Sequence, residues 1–221
     1  MTRAVIVDAV RSPVGKGKPT GAIAGIHPND LLAAVLSGLV SRNDLDPGSI
    51  DDVIVGCVNQ SGEQSATPGR QALLAAGFPE HVPSVTVERK CGSGQQAVDF
   101  AVQGIESGAY DIAVAAGIES MSRVPMGSAA LGKDAHGVGM RERFPTLVPQ
   151  GIAAELVAHK WALSRAELDD YSARSHERAA YARREGWFDS EIVPVTTPDG
   201  TVTADETIRE GTTADALAGL R

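Results

Sequence analysis

The sequence predicts an α/β fold with a mostly parallel sheet, followed by an inserted segment of different character. Three observations carry this. Residues 4–117 alternate short apolar runs with stretches whose apolar residues recur at helical spacing. Short strands separated by helices imply parallel strands with helices on the faces of the sheet. Residues 120–149 then lose both periodicities and are rich in Gly, Pro, Met and mixed charge, a long irregular excursion of a kind uncommon inside a compact domain.

Taken in order, residues 4–10 form an apolar run closed by Arg11-Ser12-Pro13 and read as a buried first strand. Residues 15–25, rich in Gly and Lys, read as a loop. Leu31, Leu32, Val35, Leu36 and Leu39 have helical spacing over residues 28–40, and Asn29-Asp30 suit a helix start. Residues 51–58 and 84–88 read as strands, and residues 68–76 as a helix ended by Gly77. Residues 97–107 read as an amphipathic helix ended by Gly108, and residues 111–117 as another strand. Right-handed crossovers connect such strands. Beyond the excursion, residues 151–162 read as a helix. Ser164 with Glu167 is a capping-box pattern opening a long helix over residues 165–185, with Gly186 past its end. Residues 191–195 read as a strand. Pro198-Asp199-Gly200 marks a turn, from which residues 201–203 return as a hairpin. Residues 214–220 read as a short helix.

Composition narrows the function. Of 221 residues, 43% are hydrophobic and 22% charged, which is enough apolar side chain for a packed core. The net charge of −8 argues against nucleic acid as the main partner, because phosphate binding needs concentrated Lys and Arg. No apolar stretch is long enough to predict a membrane span, and MTRAVIVDAVRSP reads as a strand rather than a signal peptide. Two cysteines, Cys57 and Cys91, make no disulfide framework and fit a reducing cytoplasm. No metal-ligand spacing stands out, so no metal is expected.

The chemistry concentrates in Glu88-Arg89-Lys90-Cys91-Gly92-Ser93-Gly94-Gln95-Gln96-Ala97. A strand ends and a helix begins at a cysteine among small residues. A helix N-terminus presents free N–H groups and the positive end of its dipole. Both favour the thiolate, which is the nucleophilic form. Gly92 and Gly94 allow a substrate close to the backbone, and the carboxyl ends of parallel strands are where such sheets bind ligands. The rival reading of a free cysteine is a small core hydrophobe. That reading suits Cys57, inside the run Val53–Val58, better than Cys91.

The segment Arg89–Gly94 with Gln96-Ala97 resembles the nucleophile motif of the thiolases. So, in order, do Val7–Pro13, Ala116–Pro125 with Glu119, Gly151–Glu155, the long helix after Ser164, and Asp205–Arg209. The resemblance implies the thiolase fold, layered αβαβα, with residues 1–120 as the N-terminal core half and residues 121–221 as an incomplete loop domain covering coenzyme A. It implies an acyl-CoA acyltransferase of the EC 2.3.1 type, in which Cys91 attacks a 3-oxoacyl-CoA, releases acetyl-CoA and passes the remaining acyl group to CoA, or runs the reverse condensation. Coenzyme A enters as substrate, with no metal. Arg209 holds the position where thiolases set an arginine against the adenine nucleotide. Its rival reading is a solvated loop residue. Arg141 and Arg143 are weaker candidates. Glu119 reads as a structural carboxylate that holds the loop over residues 120–125. Dimers or tetramers are implied.

The sequence departs from the family by lacking its later motifs: the Gly-His-Pro histidine, the Cys-x-Gly-x-Gly cysteine and the oxyanion-hole asparagine. His27, His81, His136, His159 and His176 have no such context and read as surface or loop residues. The expectation is therefore about the first half of a thiolase, inactive alone, whose C-terminal half lies on the same or a separate chain. Gln95-Gln96, Phe100 and Gln103, with Arg123–Ser128, lean toward degradative enzymes, some acting on sterol side chains. Val148–Gly151 lacks the His-Met pair of short-chain biosynthetic members. Two alternatives stand beside this reading. One is a non-catalytic thiolase-like lipid-binding or structural subunit, against which the intact Cys91 motif speaks. The other is a redox-sensing cysteine protein, for which Cys57 makes a poor resolving thiol.

Overall fold

The computed structural model describes residues 3–220. They divide into two compact units, residues 3–131 with Ser190–Thr207, and Gly132–Asp189 with residues 208–220.

The first unit is organised by a parallel sheet of β1 (Asp52–Gly56), β2 (Ser84–Val87) and β3 (Ala113–Gly117), in the order β2-β1-β3 among the described residues. The central strand β1 is apolar at every position from Val53 to Val55 because both its faces are covered. Val53 and Val55 point to one face and pack with Leu31, Leu32 and Leu36 of α1 (Pro28–Arg42) and Ala72 and Leu73 of α2 (Pro68–Ala75). Ile54 points to the other and packs with Ala97 and Ala101 of α3 (Ser93–Ser107). Leu36 and Leu73 are each at most 1% exposed, so truncating either to Ala would cost about 2–5 kcal/mol.

Two helix boundaries have clear causes. The imidazole Nδ1 of His27 accepts from Asn29 N at 3.2 Å and caps α1 with Pro28 in its first turn. Gly77 and Gly108 both take left-handed backbone just past α2 and α3. α3 begins a turn earlier than its periodicity predicts, because Ser93–Gln96 carry no apolar signal.

The predicted first strand is a correction. Residues 4–10 join no sheet, and Val5, Ile6 and Val7 are 76%, 79% and 83% exposed. Pairing begins only at Arg11, whose N–H donates to Glu191 O and whose C=O accepts from Val193 N, both at 2.8 Å. The predicted strand over residues 191–195 is correspondingly displaced. Ile192 only bridges to Arg11, and the regular strand β4 is Val195–Thr197, paired with β5 (Gly200–Val202) around Pro198-Asp199. This returning segment is held by charge. Arg11 meets both carboxylate oxygens of Asp205 at 2.7 and 2.9 Å and Glu191 at 2.7 Å.

The second unit is helical. Within the stretch read as irregular lies the short α4 (Gly137–Arg143), then α5 (Gln150–Lys160), α6 (Arg165–Arg184) and α7 (Ala214–Ala218). The capping box at Ser164 and Glu167 is formed as the sequence predicts. Arg165 pairs with Asp169 one turn on and donates to the carbonyls of Leu217 and Leu220, so α6 and the end of α7 are fastened at one side chain. Among the described residues, no helix is long and apolar enough to cross a membrane, and no cluster of three His, Cys, Asp or Glu side chains could hold a metal.

Candidate active site

The register of the sheet places the site. Gly56 pairs with both Val87 and Gly117, so the three strands end together and their following loops leave from one edge. In parallel sheets that edge is where ligands bind.

From Val87 the chain turns sharply into α3 with Cys91 at the bend. The turn is made by Lys90, which has φ +49°. A lysine in left-handed backbone is disfavoured by its Cβ, so the surroundings must hold it. Ser93 does this. Its hydroxyl accepts from Arg89 N at 2.8 Å and donates to Lys90 O at 2.6 Å. Gly92 N and Ser93 N donate to Arg89 O and Lys90 O at 3.1 and 3.0 Å. Ser93 is 4% exposed, so the lock is shielded from water. The sequence motif contains Ser93 but does not disclose this role.

Cys91 is exposed, beside the N-cap Gly92 and before the first turn of α3. Cys57 is its opposite. It is buried in the core, its N–H donates to Val87 O at 3.1 Å, and burial with the nearby Glu119 carboxylate pushes its thiol up to about 12. The structure thus separates the two cysteines as the sequence predicts: one open at a helix start, one held as a neutral core thiol.

The floor beneath this bend is Gly56. A Cβ there would lie 2.5 Å from Ser93 C and 2.6 Å from Ser93 O and Gly94 N. Backbone packs directly on backbone, and only glycine permits it.

A polar cluster that sequence reasoning missed lies at the same edge. The carboxylate of Glu119 accepts from Val58 N at 2.9 Å, Asn59 N at 3.4 Å, Asn59 Nδ2 at 3.0 Å and Gln64 Nε2 at 3.2 Å. Gln64 is wholly buried. Its Nε2 also donates to Asn59 O at 3.0 Å, and its Oε1 accepts from Ser120 N at 2.6 Å. Glu119 therefore holds the loop after β1, and Gln64 holds the loop after β3. This differs from the expectation that Glu119 itself ties down residues 120–125. Arg123, with its guanidinium on Glu63 and on Ala24 O, secures the far end of that loop.

The remaining sequence candidates have local partners of their own. Arg209 is exposed in the second unit, where its N–H donates to His176 Nδ1 at 3.2 Å and its C=O accepts from Thr212 Oγ1 at 2.9 Å. Arg141 pairs with Asp134 at 3.0 Å, and Arg143 lies over the Phe144 ring. Among the histidines, His27 caps α1, His81 meets Gly48 O and His176 meets Arg209 N.

With this geometry in hand, comparison with known proteins is informative. The family described as Thiolase, N-terminal domain matches residues 4–221. The steroid 3-ketoacyl-CoA thiolase FadA6 of Mycobacterium tuberculosis is 45% identical over all of this chain and 56% of its own length. The β-ketoadipyl-CoA thiolase of Pseudomonas aeruginosa is 41% identical, again over all of this chain and 60% of its own length. Among solved structures, the dimeric peroxisomal thiolase of Saccharomyces cerevisiae superimposes with a TM-score of 0.89 at 34% identity, covering 100% of this chain and 58% of that one. The chain thus spans a little over half the length of the curated relatives it matches.

Proposed function

The chain belongs to the thiolase family and has its fold, and from that premise we propose that it carries the nucleophilic cysteine of an acyl-CoA acyltransferase. The carrying observation is the exposed Cys91 at the start of α3, against a Cys57 that burial keeps protonated. In the thiolytic direction the Cys91 thiolate adds to the C3 carbonyl of a 3-oxoacyl-CoA. The C2–C3 bond then breaks, its electron pair stays on C2 and is protonated, and acetyl-CoA leaves. The acyl group remains as a thioester on Cys91 until the thiol of free CoA attacks its carbonyl, losing a proton as it does. Acyl-CoA departs and the Cys91 thiolate is regenerated. The backbone N–H of Cys91 itself is the proposed donor to an oxyanion at this bend. Arg209, on the loop before α7, is the proposed contact for the adenine nucleotide of CoA. The name of the FadA6 relative supports steroid-derived acyl chains among the substrates.

The reading includes a second polypeptide segment, on the same or a separate chain, corresponding to the rest of a thiolase and supplying the base and acid that Cys91 needs. Three features support it. The relatives extend well beyond the matched region. The run Val5–Val7 is apolar yet exposed. A cavity of about 1250 Å³ lies between residues 3–17 and the free edge of β3, walled by apolar side chains of α1 and α3 such as Leu36 and Ile105. An open strand edge and an unpaired extended run facing one apolar cavity suit the addition of a strand.

Incubation with labelled acetyl-CoA tests this, using the chain joined to a segment that completes a thiolase. Label is expected on Cys91 and absent from Cys91→Ser. A completed, folded protein whose Cys91 takes no label would overturn the acyltransferase reading in favour of a non-catalytic binding subunit.

A further inference from the structure

We propose that Glu119 is a positioning residue for Cys91, acting through the loop after β1. This rests on Cys91 being the reactive group, as read above.

The contacts form an unbroken physical chain. Both carboxylate oxygens of Glu119 are used, against N–H donors of Val58, Asn59 and Gln64. Ionised carboxylates accept such bonds more strongly than neutral groups do. Val58 directly follows Gly56-Cys57. Gly56 O accepts from Ile118 N at 3.0 Å, and Cys57 N reaches Val87 O at 3.1 Å. Gly56 also lies in backbone contact with Ser93 and Gly94. The carboxylate therefore pins the segment on which both arms of the Cys91 bend rest: the end of β2 on one side, the first turn of α3 on the other. A bend that contains a left-handed lysine persists only while its supports stay fixed.

An amide at position 119 tests the requirement for the carboxylate. It keeps the size of the side chain, but its NH2 must oppose one of the four N–H donors. Loosening there lets the bend relax and moves Cys91 from its place before the first turn of α3.

The experiment is alkylation of Cys91 by iodoacetamide in the full chain at pH 7.5, followed by peptide mass spectrometry. Charged neighbours at the bend, Glu88, Arg89 and Lys90, are unchanged between variants, and Glu88 and Lys90 pair with each other. In Glu119→Gln, alkylation at pH 7.5 is expected to slow about three- to tenfold. Asn59→Ala, which keeps the carboxylate and loses one side-chain donor, is expected to slow alkylation by less. It serves as the test if Glu119→Gln fails to fold.

The sign separates the explanations. Loss of the negative charge alone would speed alkylation. A merely structural role would lower the melting temperature and leave the alkylation rate of the folded protein unmoved. Either result overturns the proposal. Iodoacetamide does not require acyl transfer. Slowed alkylation with no labelling by acetyl-CoA would leave positioning intact and sink the acyltransferase reading, and the reverse pattern would do the opposite.

Discussion

Replacing Gly56 by Ala adds a single methyl group where the structure has no room for one. The new Cβ would lie 2.5 Å from Ser93 C and 2.6 Å from Ser93 O and Gly94 N. Ordinary contacts between such atoms are about 3.5–4.0 Å, so the start of α3 must withdraw from β1 by about 1 Å. These are backbone atoms, and no rotamer change relieves them. Overpacking of this kind costs about 1–3 kcal/mol, which for a chain of this size is a fall of about 3–10 °C in melting temperature. The same withdrawal displaces Ser93, whose hydroxyl locks Lys90, so Cys91 alkylation changes in step with stability. Gly94 provides the control. An added Cβ there meets nothing within 4 Å, and Ala in the helix favours folding by about 0.5–1 kcal/mol over Gly. Circular dichroism melts of the two variants, with Cys91 alkylation rates, decide the matter. A Gly56→Ala protein that melts within a degree of the parent, with unchanged Cys91 reactivity, would refute the claim that α3 rests on this glycine.

Three further outcomes follow from the same structure. At pH 8, native protein is expected to alkylate at Cys91 while Cys57 stays untouched until denaturant is added, because a thiol held near 12 is only about one part in ten thousand ionised there. Mass spectrometry showing equal labelling of both peptides in native protein would contradict the burial of Cys57. Glu206 accepts from Lys16 N and Ala22 N, both at 2.9 Å, and these bonds hold its carboxyl at about 2 against an ordinary 4.5. A lowered folded-state value gives stability that is present above pH 4.5 and lost as pH falls toward 2. Glu206→Gln should therefore flatten the acid unfolding curve within that window and leave it parallel to the parent above it, as followed by far-ultraviolet circular dichroism. Ser164→Ala removes the capping box of α6 and is expected to cost about 0.5–2 kcal/mol, seen as earlier hydrogen exchange in the first turn of that helix; unchanged protection there would show the cap to be idle.

What could be read beforehand depended on whether a residue's signal is local. Helix α1 announces itself by apolar spacing with Asn29-Asp30 near its start, α2 by Gly77 just past its end, and α6 by its capping box with Gly186 beyond it, all signals that act within a turn. The short helix α4 was missed because Gly137 and Gly139 argue against helix locally. At the site, Cys91 was legible because the strand, the small residues and the helix are adjacent in sequence. The Glu119 cluster was not, because its partners stand 55 to 61 residues away. The polar run Asn59–Gln64 between a strand and a helix was the signal available, and by itself it reads as an ordinary loop. Ser93 belongs to the sequence motif, yet its hydroxyl works on Arg89 and Lys90, a geometry that only the left-handed turn reveals.

The misread first strand has a different cause, and it bears on the proposed function. The run Val5-Ile6-Val7 has the composition of a strand buried on both faces, yet each of the three is more than three-quarters exposed. Sequence patterns report the environment in which a side chain is used. Continuous apolar strand residues, facing an apolar cavity of about 1250 Å³ beside an unpaired edge of β3, fit a sheet that continues past the strands described here. Burying Val5, Ile6 and Val7 would each contribute about 1.5–3 kcal/mol. A completing segment should therefore raise the melting temperature, and protect the amides of residues 4–10 and 113–117 together. Protection confined to one of the two edges would mean that the cavity is not a strand's seat, and the apolar run would then need another explanation.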